Sequence, residues 1–172
     1  MTTVYIIIGI VAIILILMAS TYNGLVRLRN RVKNAWAQID VQLKRRHDLI
    51  PNLVETTKGY MTHERGTFEA VTKARNLAQQ AVGTGVGAQS KAEGELSGAL
   101  ARLLVVVENY PDLKANQNFL ALQEELTSTE NKIGFSRQYY NDSVLRYNNK
   151  TQMFPSNMMA GMMGFKASEF FE

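Results

Sequence analysis

The 172-residue sequence contains no cysteine. That excludes disulfides, thiolate metal sites and a lipid-modified cysteine, and it suits a reducing compartment. Only three prolines are present and alternating β-rich runs are few, so the chain reads as helical. No acidic or basic side chain precedes Arg27. Histidine ligand sets are missing as well. His63-Glu64 opens like an HExxH zinc-protease signature, but position 67 is Thr, so the second ligand is absent. A di-metal bundle wants Glu-x-x-His pairs, whereas Lys44 stands before His47 and Tyr60 before His63 at that spacing. Gly83-Thr84-Gly85-Val86-Gly87 follows no strand and precedes no Lys-Ser/Thr, so it reads as a helix connection rather than a phosphate cradle. Asn141-Asp142-Ser143 and Asn149-Lys150-Thr151 match glycosylation triplets, which chance supplies freely. No catalytic, cofactor or metal constellation emerges, and the expectation is a protein without enzymatic activity.

What is present begins with Val4 to Ala19, an apolar stretch whose one polar group is the Tyr5 hydroxyl. About 20 helical residues cross a hydrocarbon core of roughly 30 Å, and Thr3 to Tyr22 supplies that length. Tyr5 and Tyr22 lie near its ends, where amphipathic rings prefer to sit. A cleaved secretory signal and a buried soluble helix are the alternatives. The first wants a basic n-region and a small-x-small cleavage site, yet Met1, Thr2 and Thr3 carry no Lys or Arg. The second wants a polar face, and Ile6 to Leu15 is apolar all round. An uncleaved anchor is expected. Arg27, Arg29, Arg31 and Lys33 crowd its C-terminal side. Basic flanks stay cytoplasmic, so the N-terminus is expected outside and the body inside. With Tyr22, these residues are the candidate contacts for lipid headgroups. The net charge of +4 fits anionic lipid at about 1 kcal/mol per residue. Nucleic acid would want a larger basic face and aromatic platforms.

Beyond the anchor, apolar residues recur at helical steps. Leu25, Leu28, Val32, Ala35, Ile39 and Leu43 form one stripe, with Trp36 beside it. Asn23-Gly24 is the expected bend between anchor and body, because glycine weakens a helix interior by roughly 1 kcal/mol. This helix is expected to end near Lys44-Arg45-Arg46-His47, basic residues that suit a negative dipole end. Asp48 would then cap a new helix with Pro51 in its first turn. That helix carries Ile50, Leu53, Val54, Thr57, Tyr60, Met61, Phe68, Val71, Ala74, Ala78 and Ala81, loosened at Gly59 and Gly66. A third runs from about Gln89 to Tyr110 and stops at Pro111. A fourth, from near Asn116 to Gln152, carries Phe119, Leu122, Leu126, Thr129, Ile133, Ser136, Tyr140, Val144 and Tyr147. Such seams suit coiled-coil-like antiparallel packing near 20°, and the length of the fourth leaves part of it to overhang the bundle or to meet another chain. The expected class is all-α: a single-pass anchor over residues 1–24, an antiparallel bundle of about four long helices over 25–153, and an apolar tail over 154–172.

The tail is rich in methionine. Phe154, Met158, Met159, Met162, Met163 and Phe165 are either a strap on the helices or an adhesive segment for a partner, another copy or the bilayer, since thioethers suit adaptable surfaces. Arg45, Arg46 and Asp48 are either a buried polar knot or an anion site. Glu64, Arg75, Glu130 and Arg137 are either an internal network or solvated. Any charge inside must be paired, because an unpaired one costs several kcal/mol.

The run Lys44-Arg45-Arg46-His47-Asp48-Leu49-Ile50-Pro51-Asn52-Leu53-Val54 resembles the LemA family. So do Tyr22-Asn23-Gly24-Leu25-Val26, Ala35-Trp36, Ile39-Asp40-Val41-Gln42-Leu43, Ala74-Arg75, Tyr110-Pro111-Asp112-Leu113-Lys114-Ala115, Tyr140-Asn141, Phe154-Pro155 and Gly164-Phe165. The likeness covers nearly the whole chain. It implies a bacterial membrane protein with one N-terminal anchor, a helical bundle and no established catalysis, and the expected location is the inner membrane. It also implies a setting of envelope organisation, with relatives encoded beside membrane metalloproteases of the HtpX type or TPM-domain proteins and one branch in magnetosome membranes. Two functional readings follow: a self-associating, lipid-touching scaffold, or an adaptor for a membrane protease or other envelope complex.

Overall fold

The computed structural model describes all residues, Met1–Glu172. It is all-α, with four long helices and two short ones: α1 (Thr2–Lys58), α2 (Arg65–Ala81), α3 (Val86–Val107), α4 (Pro111–Lys114), α5 (Gln117–Gln152) and α6 (Ser156–Met162). The chain divides into two compact units, one of Met1–Trp36 with Tyr139–Glu169 and the other of Ala37–Gln138 with Phe170–Glu172.

Helix α1 runs unbroken through Asn23-Gly24 and corrects two expectations. There is no end at Lys44–His47 and no new helix at Asp48. The buried face explains the continuity. Leu25, Val32, Ala35, Ile39, Leu43, Arg46, His47, Ile50, Leu53, Val54 and Thr57 are all buried and keep to one helical face. The cluster Lys44-Arg45-Arg46-His47 is therefore no terminus, because its last two members point into the core. Asp48 is exposed and caps nothing. Pro51 lies inside the helix, where it removes the N–H that would reach the carbonyl of residue 47 and normally costs about 3 kcal/mol. The Arg75 Nε–H donates to that same His47 carbonyl at 2.8 Å. A side chain of α2 thus fills the missing rung. The helix stops at Lys58, and the turn through Gly59–Glu64 separates it from α2, so the single helix expected across Gly59 is two.

In the second unit, Ile50 and Leu53 of α1 meet Val71, Ala74 and Ala78 of α2, Leu96, Leu100 and Leu103 of α3, Leu113 of α4, and Phe119 and Leu126 of α5 in one core. Helices α2 and α3 reverse direction across Val82–Gly85, where Gly83 and Gly85 have φ of +79° and +124°. Only glycine adopts such angles without strain. The Asn116 carboxamide accepts the Phe119 N–H at 3.0 Å, an N-cap that starts α5 where the sequence places it.

In the first unit, the apolar start of α1 packs on nothing within the chain. The stretch from Val4 to Leu17 is exposed throughout, and it is apolar and long enough to cross a membrane. Beyond it, Leu25 is buried against Met159 and Ala160 of α6, with Phe165 alongside. Trp36 packs on Tyr140, the ring centroids 5.3 Å apart.

Candidate functional site

Two places gather polar chemistry, one in each unit. In the second unit the register of α1 turns Arg46 and His47 inward. The stripe of α3 contains a carboxylate, Glu93, one turn before Leu96. Arg46 is 1% and Glu93 2% exposed, and the two form an ion pair. The other Arg46 terminal nitrogen donates to Glu130 Oε2 and to Ser97 Oγ, both at 2.7 Å. His47 Nε2 lies 2.9 Å from Glu93 Oε1, a close polar approach whose angles do not make a hydrogen bond. Burial alone pushes the Glu93 carboxyl up, but the nearness of His47 and the Arg46 charge outweigh it and hold it below the ordinary range. Arg46 Nε also has no hydrogen-bond partner. Three helices are therefore tied by one guanidinium, at the desolvation cost that any buried ion pair carries.

The predicted polar cluster is only partly this one. Arg46 is at its centre. Arg45 points outward to a half-exposed pair with Glu125, of the kind worth about 0–1 kcal/mol, and Asp48 takes no part. The second predicted set also divides. Glu130 joins Arg46 and Arg75 holds the His47 carbonyl, while Glu64 accepts from the Tyr110 hydroxyl at 3.2 Å and Arg137 is exposed. That hydrogen bond contributes to raising the Tyr110 pKa, after desolvation. Sequence reasoning misses the pairing of Glu93 with His47. A signal for it exists: a glutamate in phase with Leu96, Leu100 and Leu103 demands a cation. No group of three His, Cys, Asp or Glu is placed to hold a metal ion.

In the first unit the headgroup candidates form a collar. Tyr22, Arg27, Arg29, Arg31 and Lys33 are all exposed. The Phe165 ring meets Tyr22 edge-on at 5.9 Å, and the Arg29 guanidinium lies 5.0 Å from its centroid, a cation–π contact. Charge is concentrated here. This unit holds Arg27, Arg29, Arg31, Lys33, Arg146, Lys150 and Lys166 against Asp142 and Glu169, a net of +5, so the whole basic excess of the chain, +4, falls within it.

The tail splits between its two readings. Residues after Phe165 are a strap on α5. The Tyr147 hydroxyl donates to the Lys166 carbonyl, the Asn148 amide to that of Ser168 and the Tyr140 hydroxyl to that of Glu169, each at 2.9 Å. Burial, then the Glu169 carboxylate, pushes the Tyr140 phenol up to about 12. Burial also raises Tyr147, against the pull of Arg29. Helix α6 carries both readings at once. Met159 is buried and Phe165 half-buried, whereas Phe154, Met158, Met162 and Met163 are exposed.

The family model described as the LemA family matches residues 35–172. Among curated proteins, the chain is similar to magnetosome protein MamQ 2 of Paramagnetospirillum magneticum, at 26% identity over 88% of this chain and 64% of the relative. MamQ of Magnetospirillum gryphiswaldense is 25% identical over 87% of this chain and 64% of its own length. Protein LemA of Metamycoplasma hominis is 26% identical over 86% and 69%, respectively. The chain thus spans a little under two thirds of the magnetosome proteins it matches.

Proposed function

The chain belongs to the LemA family, and from that premise we propose that it is a membrane-anchored, non-enzymatic scaffold that self-associates in the bacterial inner membrane. The observation that carries this reading is the helix α1 itself. Its first turns expose a continuous apolar cylinder, and the same helix continues into a packed core. Lipid is the solvent that such a surface fits. The basic collar directly after the span supports an orientation with the N-terminus outside and the bundle cytoplasmic. Its +5 unit suits an anionic leaflet.

Self-association draws support from a shallow groove of the second unit, lined by Ala37, Gln38, Val41, Lys132, Phe135 and Ser136. There Phe135 is 74% and Val41 63% exposed.

Two measurements on membranes from expressing cells test the reading. Alkaline carbonate should leave the full-length chain in the pellet. In the cysteine-free background, a Phe135→Cys variant treated with a bismaleimide should yield a band at twice the chain mass. Extraction by carbonate would sink the anchor. A chain that stays monomeric, or that links only to a different envelope protein, would sink self-association.

A further inference from the structure

The outward side of α6 has no use in the packing just described. Met159 and Ala160 face Leu25. Opposite them Met158 and Met162, one turn apart, are 63% and 73% exposed, and Phe154, in the turn just before the helix, is 79% exposed. A soluble surface gains nothing from such a row.

Its position is informative. Leu25 lies three residues after Tyr22, about 4.5 Å further along the helix at 1.5 Å per residue. The headgroup layer extends roughly 5–7 Å beyond the hydrocarbon on each side. A helix fastened to Leu25, with Phe165 clamped between Tyr22 and Arg29, therefore sits at headgroup depth. The charge agrees. No acidic residue occurs between Asp142 and Glu169, while Arg146, Lys150 and Lys166 do. Interfacial helices combine these same parts: apolar side chains buried about 5–10 Å into the boundary, and basic residues around them. Methionine adapts to an irregular acyl surface better than a branched side chain does.

We propose that Phe154, Met158 and Met162 insert into the interfacial layer of the leaflet where the α1 span ends, giving the chain a second, side-on contact with lipid. This rests on reading α1 as a membrane anchor. The row would fix the first unit against the leaflet instead of leaving it to swing from a single helix.

The test uses full-length protein in phosphatidylethanolamine–phosphatidylglycerol vesicles, with single nitroxide-labelled cysteines at Met158, Met162, Ile14 and Val105. All four side chains are exposed, and Val105 lies outside the groove around Phe135. The readout is collision with dissolved oxygen relative to a water-soluble nickel chelate. Labels at 158 and 162 should show a ratio several-fold above that at 105 and approaching that at 14. A ratio at 158 and 162 equal to that at 105, with 14 reporting lipid, overturns the proposal and leaves the anchor standing. Water exposure at 14 overturns both. Spin–spin broadening at 162 that vanishes on dilution with unlabelled protein, without oxygen preference, shows a second copy on the row and also overturns it.

Discussion

Replacing Arg75 by methionine should expose how α1 tolerates a proline in its interior. Pro51 has no N–H, so the His47 carbonyl lacks its intrahelical donor, and the structure supplies the Arg75 Nε–H at 2.8 Å instead. His47 is buried and the bond itself partly so, so water replaces the donor incompletely. A buried carbonyl left unsatisfied costs about 1–3 kcal/mol. Arg75→Met keeps most of the stem and should lose that amount. The decisive comparison is a double-mutant cycle with Pro51→Ala. Alanine restores a backbone N–H aimed at the His47 carbonyl, and by itself should raise helix stability by up to about 3 kcal/mol. In that background Arg75→Met should cost less than about 0.5 kcal/mol, since the carbonyl is already satisfied. The expected coupling is thus about 0.5–3 kcal/mol, above the few tenths that independent sites show. Urea unfolding of the full-length protein in detergent, followed by circular dichroism at the helical band, measures all four corners. Equal losses from Arg75→Met with the proline present and with Pro51→Ala in place would mean that the guanidinium does not act for the missing rung.

Glu93→Gln leaves the buried Arg46 guanidinium with Glu130, Ser97 and the carbonyl of residue 93, and should cost up to about 3–5 kcal/mol in the same assay. Because the Glu93 pKa is depressed, its contribution is present above the unfolded carboxylate range and lost as pH falls through the folded value. The acid limb of a stability profile should therefore be shallower in the Gln variant. Tyr140 has the opposite sense. With its pKa near 12 in the fold, stability is complete below about pH 10 and declines from there toward 12, and Tyr140→Phe should abolish that component in a titration followed by phenolate absorbance. Asn116→Ala removes the cap on Phe119 and should lower unfolding stability by about 1 kcal/mol.

The sequence shows most plainly what depends on neighbours along the helix. Helix α5 is legible from end to end, because its stripe never breaks and Asn116 and Pro155 mark its limits. Helix α1 is misleading at two points for a shared reason. Lys44–His47 resembles a terminus only while its charges are counted without regard to phase, and the rotation that buries Leu43 and Ile50 also buries Arg46 and His47. Pro51 resembles a first-turn proline because its compensating donor lies on another helix at Arg75, beyond the reach of any local pattern. The same limit hides the Arg46–Glu93 pair, whose members are 47 residues apart. The tail is ambiguous in sequence because composition cannot separate Met159 from Met158, which are adjacent along the chain and face opposite ways.

The strap carries a further implication. Tyr147, Asn148 and Tyr140 grip it by main-chain oxygens of Lys166, Ser168 and Glu169, atoms that every amino acid possesses. Drift at Lys166 and Ala167, whose side chains are exposed, is therefore nearly free of consequence for docking. The burden of preserving the attachment falls on the receiving helix, so selection should read this contact from one side only.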